Sequence, residues 1–379
     1  MRSKLPDEGT TIFTIMSKLA ADEGAMNLSQ GFPDFDAPPA LLERVGYYLT
    51  HGYNQYPPMS GIEPLREGIA RKVRELYDLE VDPESEVTVT SGGTEALYCA
   101  MTAVIHPGDE VILFDPAYDA YRPVVDLNGG VPVRLPLTAP TFRPDWDRVR
   151  DAVNDRTRLV VVNTPHNPSG GAWTADDTAA LADIVANREI YIVSDEVYEH
   201  IVFDGRRHES MVRTPGLFER SFVVSSFGKT YHATGWKVGY CVAPAPLTRE
   251  FRGIHQWVNF TTPTPLQHGL ADFLAQCPEH HRELAGFYQR KRDLFNSMVA
   301  ESRFELTPSA GTFFQLLDYS AVSNERDVDL ARRLTVEHKF AAIPVSVFYA
   351  EPPNQRFLRF CFAKDDDTLV RAAEILRGL

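Results

Sequence analysis

The amino-acid sequence predicts an α/β fold with a large domain built on a mostly parallel sheet and a smaller α+β domain. Short apolar runs alternate with helical patterns over the first two thirds of the chain, whereas the last third has more alternating polar and apolar residues. The chain has 379 residues, of which 44% are hydrophobic and 24% are charged. This length and composition suit one large domain plus a smaller one.

Five short segments predict strands, and all but the first are nearly continuous apolar runs that suit burial on both faces of a parallel sheet. They cover residues 86–90, 110–115, 158–163, 189–196 and 221–226. A helical pattern over 94–105 follows the first run. A turn, "PHNPSGG", follows the third run and leads to a helix for which Thr174 is a suitable N-cap. The stretch from 158 to 196 therefore predicts a β–α–β unit.

The last third of the chain predicts the smaller domain. Residues 278–302 have the pattern of a long amphipathic helix. The segments "RFELT", "GTFFQLLDYS" and "RFLRFCFA" alternate between polar and apolar residues more than the earlier segments do, with helices between them. We expect residues 1–45 to form an N-terminal arm and part of the small domain. Residues 46–284 are then the large domain, and residues 285–379 the C-terminal small domain.

Composition excludes several classes of function. The formal net charge of −14 argues against binding to a nucleic-acid backbone. The four cysteines are far apart and the histidines lack metal-ligand spacing, so we expect neither disulfides nor a metal site. The first twenty residues lack the apolar segment of a signal peptide, and no run is long enough to span a bilayer. We expect a cytoplasmic protein with no membrane partner.

Polar and aromatic side chains follow each of the five predicted strands. Because the carboxyl ends of parallel strands meet at one edge of a sheet, these side chains are expected to share a site. In order, they are Ser91–Thr94 at a helix start, Tyr118, Asn167, Asp195 with Tyr198, and Lys229. Each of these residues or segments, taken alone, is explained equally well by a strand–helix junction, a turn or side-chain packing. Together they provide an anion seat, a stacking ring, an amide, a carboxylate, a phenol and an amine.

That combination matches the needs of pyridoxal phosphate. The cofactor requires a lysine amine for its Schiff base and an acid beside its pyridine nitrogen. It also requires donors to its phenolic oxygen and a cradle for its phosphate. An amine that forms this Schiff base explains why Lys229 lies between two apolar segments, where an ammonium group is costly to desolvate.

On these residues the chain resembles the class I pyridoxal-phosphate-dependent aminotransferases of fold type I. The matching segments cover nearly the whole chain: 27–38, 54–70, 91–97, "NTPHNPSG" (163–170), "SDEVYEH" (194–200), "SSFGKTYHATGWKVGY" (225–240) and "RFLRFCFAK" (356–364). Within the class, the sequence of these segments is most similar to the methionine aminotransferases and the kynurenine aminotransferase group. The resemblance implies a mostly parallel, seven-stranded sheet between helices in the large domain.

The resemblance also implies roles for individual residues. Lys229 would hold the cofactor covalently and act as the general base, and Asp195 would pair with the pyridine nitrogen. Asn167 and Tyr198 would donate to the phenolic oxygen, and Tyr118 would stack on the ring. The phosphate seat would consist of Gly93, Thr94, Ser226, Lys237 and a tyrosine from the partner subunit, Tyr56.

The substrate contacts follow from the same resemblance. Arg359 would bind the α-carboxylate with its guanidinium fork, aided by Gly31 and Asn167, and Phe32 would form part of the side-chain pocket. Because Tyr56 would act on the partner subunit, the resemblance implies a homodimer with shared active sites.

The implied reaction is a ping-pong transfer of the α-amino group to a 2-oxo acid. Aromatic pocket candidates (Phe32, Tyr56, Tyr118 and Phe348) favour methionine or another large apolar or aromatic L-amino acid as the donor. Two alternatives use the same fold: kynurenine aminotransferase with cysteine-S-conjugate β-lyase activity, and a non-catalytic regulator domain. The N-terminal arm is too short for the DNA-binding domain that a regulator needs.

Overall fold

A mixed seven-stranded sheet forms the centre of the larger part of the molecule in a computed structural model, which describes residues 3–6 and 9–379. The strands in the described ranges are β1 (Met26–Asn27), β2 (Val87–Thr90), β3 (Glu110–Asp115), β4 (Val131–Pro136), β5 (Thr157–Asn163), β6 (Tyr191–Asp195), β7 (Ser221–Ser226), β8 (Gly239–Val242), β9 (Phe314–Asp318), β10 (Phe340–Ala341), β11 (Ile343–Pro344) and β12 (Phe357–Cys361).

The α-helices of the described ranges lie between these strands and at both ends of the chain. They are α1 (Ile12–Asp22), α2 (Pro39–Thr50), α3 (Glu63–Tyr77), α4 (Gly92–Val104), α5 (Tyr121–Leu127), α6 (Trp146–Ala152), α7 (Ala175–Val185), α8 (Phe227–Thr230), α9 (Ala245–Val258), α10 (Thr264–Gln276), α11 (Glu279–Val299), α12 (Asp327–Glu337) and α13 (Asp366–Arg377).

The central sheet has the order β2-β8-β7-β6-β5-β3-β4. Strand β8 runs antiparallel to both of its neighbours, and the other six strands share one direction. Alternate residues of β3 enter two different hydrophobic clusters, Val111 and Leu113 on one face, Ile112 and Phe114 on the other. The prediction of a mostly parallel sheet covered by helices on both faces is therefore confirmed.

Strand β4 was not among the five predicted strands. It lies at the edge of the sheet, its residues are exposed or only partly buried, and it contains two prolines. An edge strand needs no continuous apolar run, and proline is tolerated there because one side of the strand lacks a hydrogen-bonded neighbour. Strand β4 therefore contains no continuous apolar run from which a strand could be predicted.

The smaller part of the molecule contains the antiparallel sheet β11-β12-β9 and helices α11 to α13. The N-terminal arm docks onto this part of its own chain, since β1 pairs in parallel with β10 and Met16 is 1% exposed in the same hydrophobic cluster as Phe360. Residue 284 lies inside the continuous helix α11. The division of the chain into domains at that residue stays a prediction.

None of the helices in the described part of the chain is both long enough and apolar enough to cross a membrane. All four cysteines are free thiols, and Cys99, Cys241 and Cys361 are buried. Buried reduced cysteines behave as small apolar side chains.

Candidate active site

A cavity of about 300 Å³ lies at the carboxyl ends of β5, β6 and β7. It is lined by all of the predicted site residues except Tyr56 and Arg359, namely Gly31, Phe32, Gly93, Thr94, Tyr118, Asn167, Asp195, Tyr198, Ser226, Lys229 and Lys237. The volume is at the lower end of the range for small-molecule sites. Residues that are up to 206 positions apart in the chain, from Gly31 to Lys237, thus share one cavity.

Lys229 projects from the short helix α8, which begins directly after β7. Its Nζ donates a hydrogen bond to the carbonyl oxygen of Gly31 at 3.0 Å. Burial lowers the pKa of Lys229 from 10.5 to about 8, and the nearby cations Lys237 and Arg359 act in the same direction. A lysine with this pKa has a useful unprotonated fraction near neutral pH, which a nucleophile or general base requires.

Asp195 ends strand β6 and is 4% exposed. Its Oδ2 accepts a hydrogen bond from the Tyr121 hydroxyl at 2.6 Å, and its Oδ1 accepts one from the backbone N–H of Val197 at 3.3 Å. Burial raises the pKa of Asp195 to about 6 in spite of these bonds. A carboxylate held in this way can accept a further N–H from a heteroaromatic ring. Tyr121 was not among the site residues predicted from the sequence.

The raised pKa of Asp195 makes a prediction about stability. Between pH 3.8 and about 6 the folded protein holds the proton that the unfolded chain releases, so this carboxyl lowers stability as pH rises through that window. D195N removes the effect and keeps an acceptor for Tyr121. We expect cofactor-free D195N to exceed the wild type in unfolding free energy by up to about 3 kcal/mol at pH 7.5 and by little near pH 4. Urea unfolding at both pH values measures this, and a pH-independent difference would contradict it.

Arg359 lies on β12 and is fully buried. Its Nη1 donates to Asn167 Oδ1 and its Nη2 to the carbonyl oxygen of Ser29, both at 2.7 Å, whereas its Nε has no hydrogen-bond partner. The guanidinium carbon is 3.9 Å from the centre of the Phe314 ring. Burial lowers the pKa of Arg359 to about 10. A buried guanidinium that contacts Asn167, a lining residue of the cavity, and that has an unused N–H is suited to binding a carboxylate.

The first turn of α4 forms the other end of the cavity. Gly92 has a φ of +78°, and a Cβ there would lie 3.2 Å from Lys237 Nζ. A Cβ on Gly239 would lie only 2.8 Å from the carbonyl carbon of Gly92. Glycine at these positions therefore lets strand β8 and Lys237 approach the helix start. Backbone N–H groups, the Ser226 hydroxyl and an ammonium group then surround a space that suits a phosphate.

The structure places Tyr56 away from this cavity. Its side chain is 84% exposed, and its ring packs edge-on against Phe260 at 5.5 Å between centroids. Tyr56 lines a separate surface cavity together with Ser91, the residue that precedes α4. Within one subunit, Tyr56 therefore does not reach the site residues.

Phe13, which lies near the site on the N-terminal arm, was not among the site residues predicted from the sequence. Its ring lies 5.6 Å from the ring of Phe348, 6.5 Å from that of Tyr118, and 5.1 Å from the guanidinium carbon of Arg359. Helix α1 therefore adds an aromatic side chain to the surroundings of Arg359. The only signal in the sequence was the apolar pattern of the arm.

One cluster of possible metal ligands occurs in the described residues: Glu95, Cys99 and His255, whose ligand atoms lie within 4.8 Å of one another. His255 Nδ1 and Glu95 Oε1 are 2.5 Å apart. That distance indicates a hydrogen bond, since two ligands at about 2 Å from one tetrahedral ion lie farther apart. The predicted absence of a metal site stays a prediction.

Comparison with known proteins agrees with this geometry. Residues 23–376 match the model of the family described as aminotransferase class I and II. The chain is 53% identical to the methionine aminotransferase of Escherichia coli (strain K12), over 100% of this chain and 98% of that protein. It is 32% identical to kynurenine–oxoglutarate transaminase 1 of Homo sapiens, over 95% and 93%.

A solved structure gives the same result for the fold. The crystal structure of an Escherichia coli protein, described as identifying a methionine aminotransferase function, superposes with a TM-score of 0.98 at 53% identity and covers 100% of this chain and 99% of its own. The family model spans most of the chain, and the relatives align over nearly their full lengths. The chain belongs to the class I and II aminotransferases, enzymes that transfer amino groups.

Proposed function

We propose that this enzyme uses pyridoxal phosphate to transfer the α-amino group of methionine, and of other large apolar or aromatic L-amino acids, to a 2-oxo acid. The observation that carries the proposal is the buried Arg359, whose Nη1 donates a hydrogen bond to Asn167, a residue that lines the cavity containing Lys229. The 53% identity to a methionine aminotransferase over the whole chain supports the choice of donor.

The donor set around the cavity fits the cofactor. When bound, pyridoxal phosphate supplies an electron sink for the α-carbon of the amino acid. Lys229 would hold it covalently, and Asp195 would accept the N–H of its ring nitrogen. Asn167 and Tyr198 would bind its phenolic oxygen, and the phosphate would lie between the start of α4 and the side chains of Ser226 and Lys237.

Each remaining step is assigned to residues of this chain. Arg359 and Asn167 fix the substrate carboxylate and so orient the Cα–H bond. The Lys229 amine would take the Cα proton of the amino acid onto Nζ and would release it again later in the transfer. Its lowered pKa lets it exchange a proton near neutral pH. Asp195 remains anionic to stabilise positive charge at the ring nitrogen.

The side-chain pocket supports an apolar donor. Phe13, Tyr118 and Phe348 form an aromatic group near Arg359. Thioether sulfur makes modestly favourable contacts with aromatic rings, so methionine suits this surface. Because one methylene discriminates only weakly in an apolar pocket, we expect broad specificity.

A homodimer is part of the proposal. Tyr56 and Trp257 are each 84% exposed, and Phe260 and Leu49 are also exposed. Leu49 and Tyr56 line one surface cavity and Phe260 packs on Tyr56, and exposed apolar side chains grouped in this way indicate an interface with another chain. We propose that this surface joins two subunits and that Tyr56 reaches the phosphate of the partner's cofactor. Sedimentation equilibrium at micromolar concentration would measure the dimer.

Absorbance titration tests the proposed donor. The cofactor-loaded enzyme is expected to lose its yellow band, and to gain the band of the pyridoxamine form, on addition of L-methionine. L-aspartate is the control and should convert the enzyme much more slowly. Faster conversion by L-kynurenine would assign the enzyme to the kynurenine group, and release of pyruvate and ammonia from a cysteine conjugate would reveal β-lyase activity. The absence of any band after addition of pyridoxal phosphate would refute the cofactor assignment.

A further inference from the structure

A buried acid–base pair lies directly behind the proposed phosphate seat. Glu95 is in the first turn of α4, one residue after Thr94, and His255 is on α9 with 0% exposure. His255 Nδ1 is 2.5 Å from Glu95 Oε1, and His255 Nε2 is 3.0 Å from the carbonyl oxygen of Met59. The second oxygen of Glu95 accepts the backbone N–H of Ser91 at 2.6 Å.

These contacts determine the charge of the pair. A carbonyl oxygen can only accept, so the contact to Met59 requires a proton on His255 Nε2. The contact between Nδ1 and Oε1 then requires a second proton between them. Whether that proton lies nearer the imidazole or nearer the carboxyl group, the two side chains together carry no net charge.

A neutral pair matters because Glu95 occupies the positive end of α4. Free N–H groups and the helix dipole attract an anion to this end, and the proposed cofactor brings a phosphate there. An uncompensated carboxylate in the same turn would repel the phosphate. The other described contact to Oε1 is the Cys99 thiol at 3.4 Å, a weak and uncharged donor. His255 is thus the group that supplies the compensating proton.

We propose that His255 is a positioning residue of the phosphate seat: it neutralises Glu95 and so allows a dianionic phosphate to bind one residue away. This inference rests on the proposed use of pyridoxal phosphate. His255 touches neither cofactor nor substrate, and it acts only through Glu95. The same imidazole joins α4 to the segment that contains Met59.

The test uses two cofactor forms, pyridoxal phosphate and pyridoxal, which differ only in the phosphate. In H255L, and in H255Q, Glu95 loses the imidazole that compensates its charge, and the titration is run at about pH 8.5, where an unpaired carboxyl group is ionised. Titration of the full-length, cofactor-free protein, followed by the absorbance of the lysine-bound cofactor, is expected to show at least about tenfold weaker binding of pyridoxal phosphate. Binding of pyridoxal should change by less than about twofold, because it brings no phosphate near Glu95.

A second change provides the rescue. In E95Q/H255L the carboxylate is gone, so the affinity for pyridoxal phosphate should return to near that of the wild type. Equal losses for both cofactor forms, or no recovery in the double variant, would overturn the proposal and leave His255 a packing residue. If H255L does not fold, H255Q carries the same expectation, since an amide cannot supply the extra proton. Failure of the wild type itself to bind pyridoxal phosphate would instead refute the proposed function.

Discussion

The K229A variant is expected to lose turnover, with kcat/KM for methionine at least about 10³-fold lower than that of the wild type. A positioned general base alone contributes about 10²- to 10⁴-fold, and Lys229 would also hold the cofactor. In the structure its amine lies in the cavity with Asp195 and Tyr198, and burial lowers its pKa to about 8. No other described lysine combines these properties with a place at the end of β7.

Covalent attachment gives this prediction a readout that is independent of turnover. Borohydride reduction in the presence of pyridoxal phosphate should add the mass of the cofactor to the peptide that contains Lys229, and K229A should lose this product. Lys18 is the matched control, because its side chain is 72% exposed and is paired with Asp22 on α1. K18A should retain both activity and labelling. If the K229A variant kept its activity and the cofactor labelled another lysine, the assignment of Lys229 would be refuted.

Buried parallel strands were the part of the fold that the sequence predicted well. The run 221–226 coincides with β7, and 110–115 coincides with β3, because a strand covered on both faces needs apolar residues at nearly every position. Strand β4 lies at the edge of the sheet and is partly exposed, so it does not need apolar residues at nearly every position. The turn residues that follow the buried strands were also predictable, since the ends of parallel strands necessarily meet at one edge.

Contacts between distant segments could not be predicted in the same way. The hydrogen bond from Tyr121 to Asp195 joins residues 74 positions apart, and that between His255 and Glu95 spans 160 positions. Both depend on how helices pack across the sheet, which a local pattern does not specify. Phe13 contacts the surroundings of Arg359 only because the N-terminal arm folds back onto its own chain. Family resemblance supplied Arg359, but not the packing that leaves its Nε unpartnered.

R359K is expected to lower kcat/KM for methionine by about 10²-fold or more, mainly through a higher KM. Loss of one partner from a buried, hydrogen-bonded charge pair costs about 2–5 kcal/mol. Lysine retains the charge but cannot reproduce the planar fork, which here donates to Ser29, Asn167 and, by our proposal, the substrate carboxylate. The remaining Asn167 amide cannot orient the carboxylate alone, so the Cα–H bond should also be less well aligned with Lys229.

Arg356 offers the matched control, because it lies three residues before Arg359 and donates instead to Asn324 Oδ1 at 2.7 Å. R356K should retain the kinetic constants of the wild type. A second comparison isolates the carboxylate: methioninamide, which lacks it, should react slowly with the wild type and about equally slowly with R359K. If R359K slowed methionine and methioninamide by the same factor, Arg359 would be acting through the fold of the cavity. A selective loss for methionine identifies the guanidinium as the receptor for the α-carboxylate, because only that group distinguishes the two substrates.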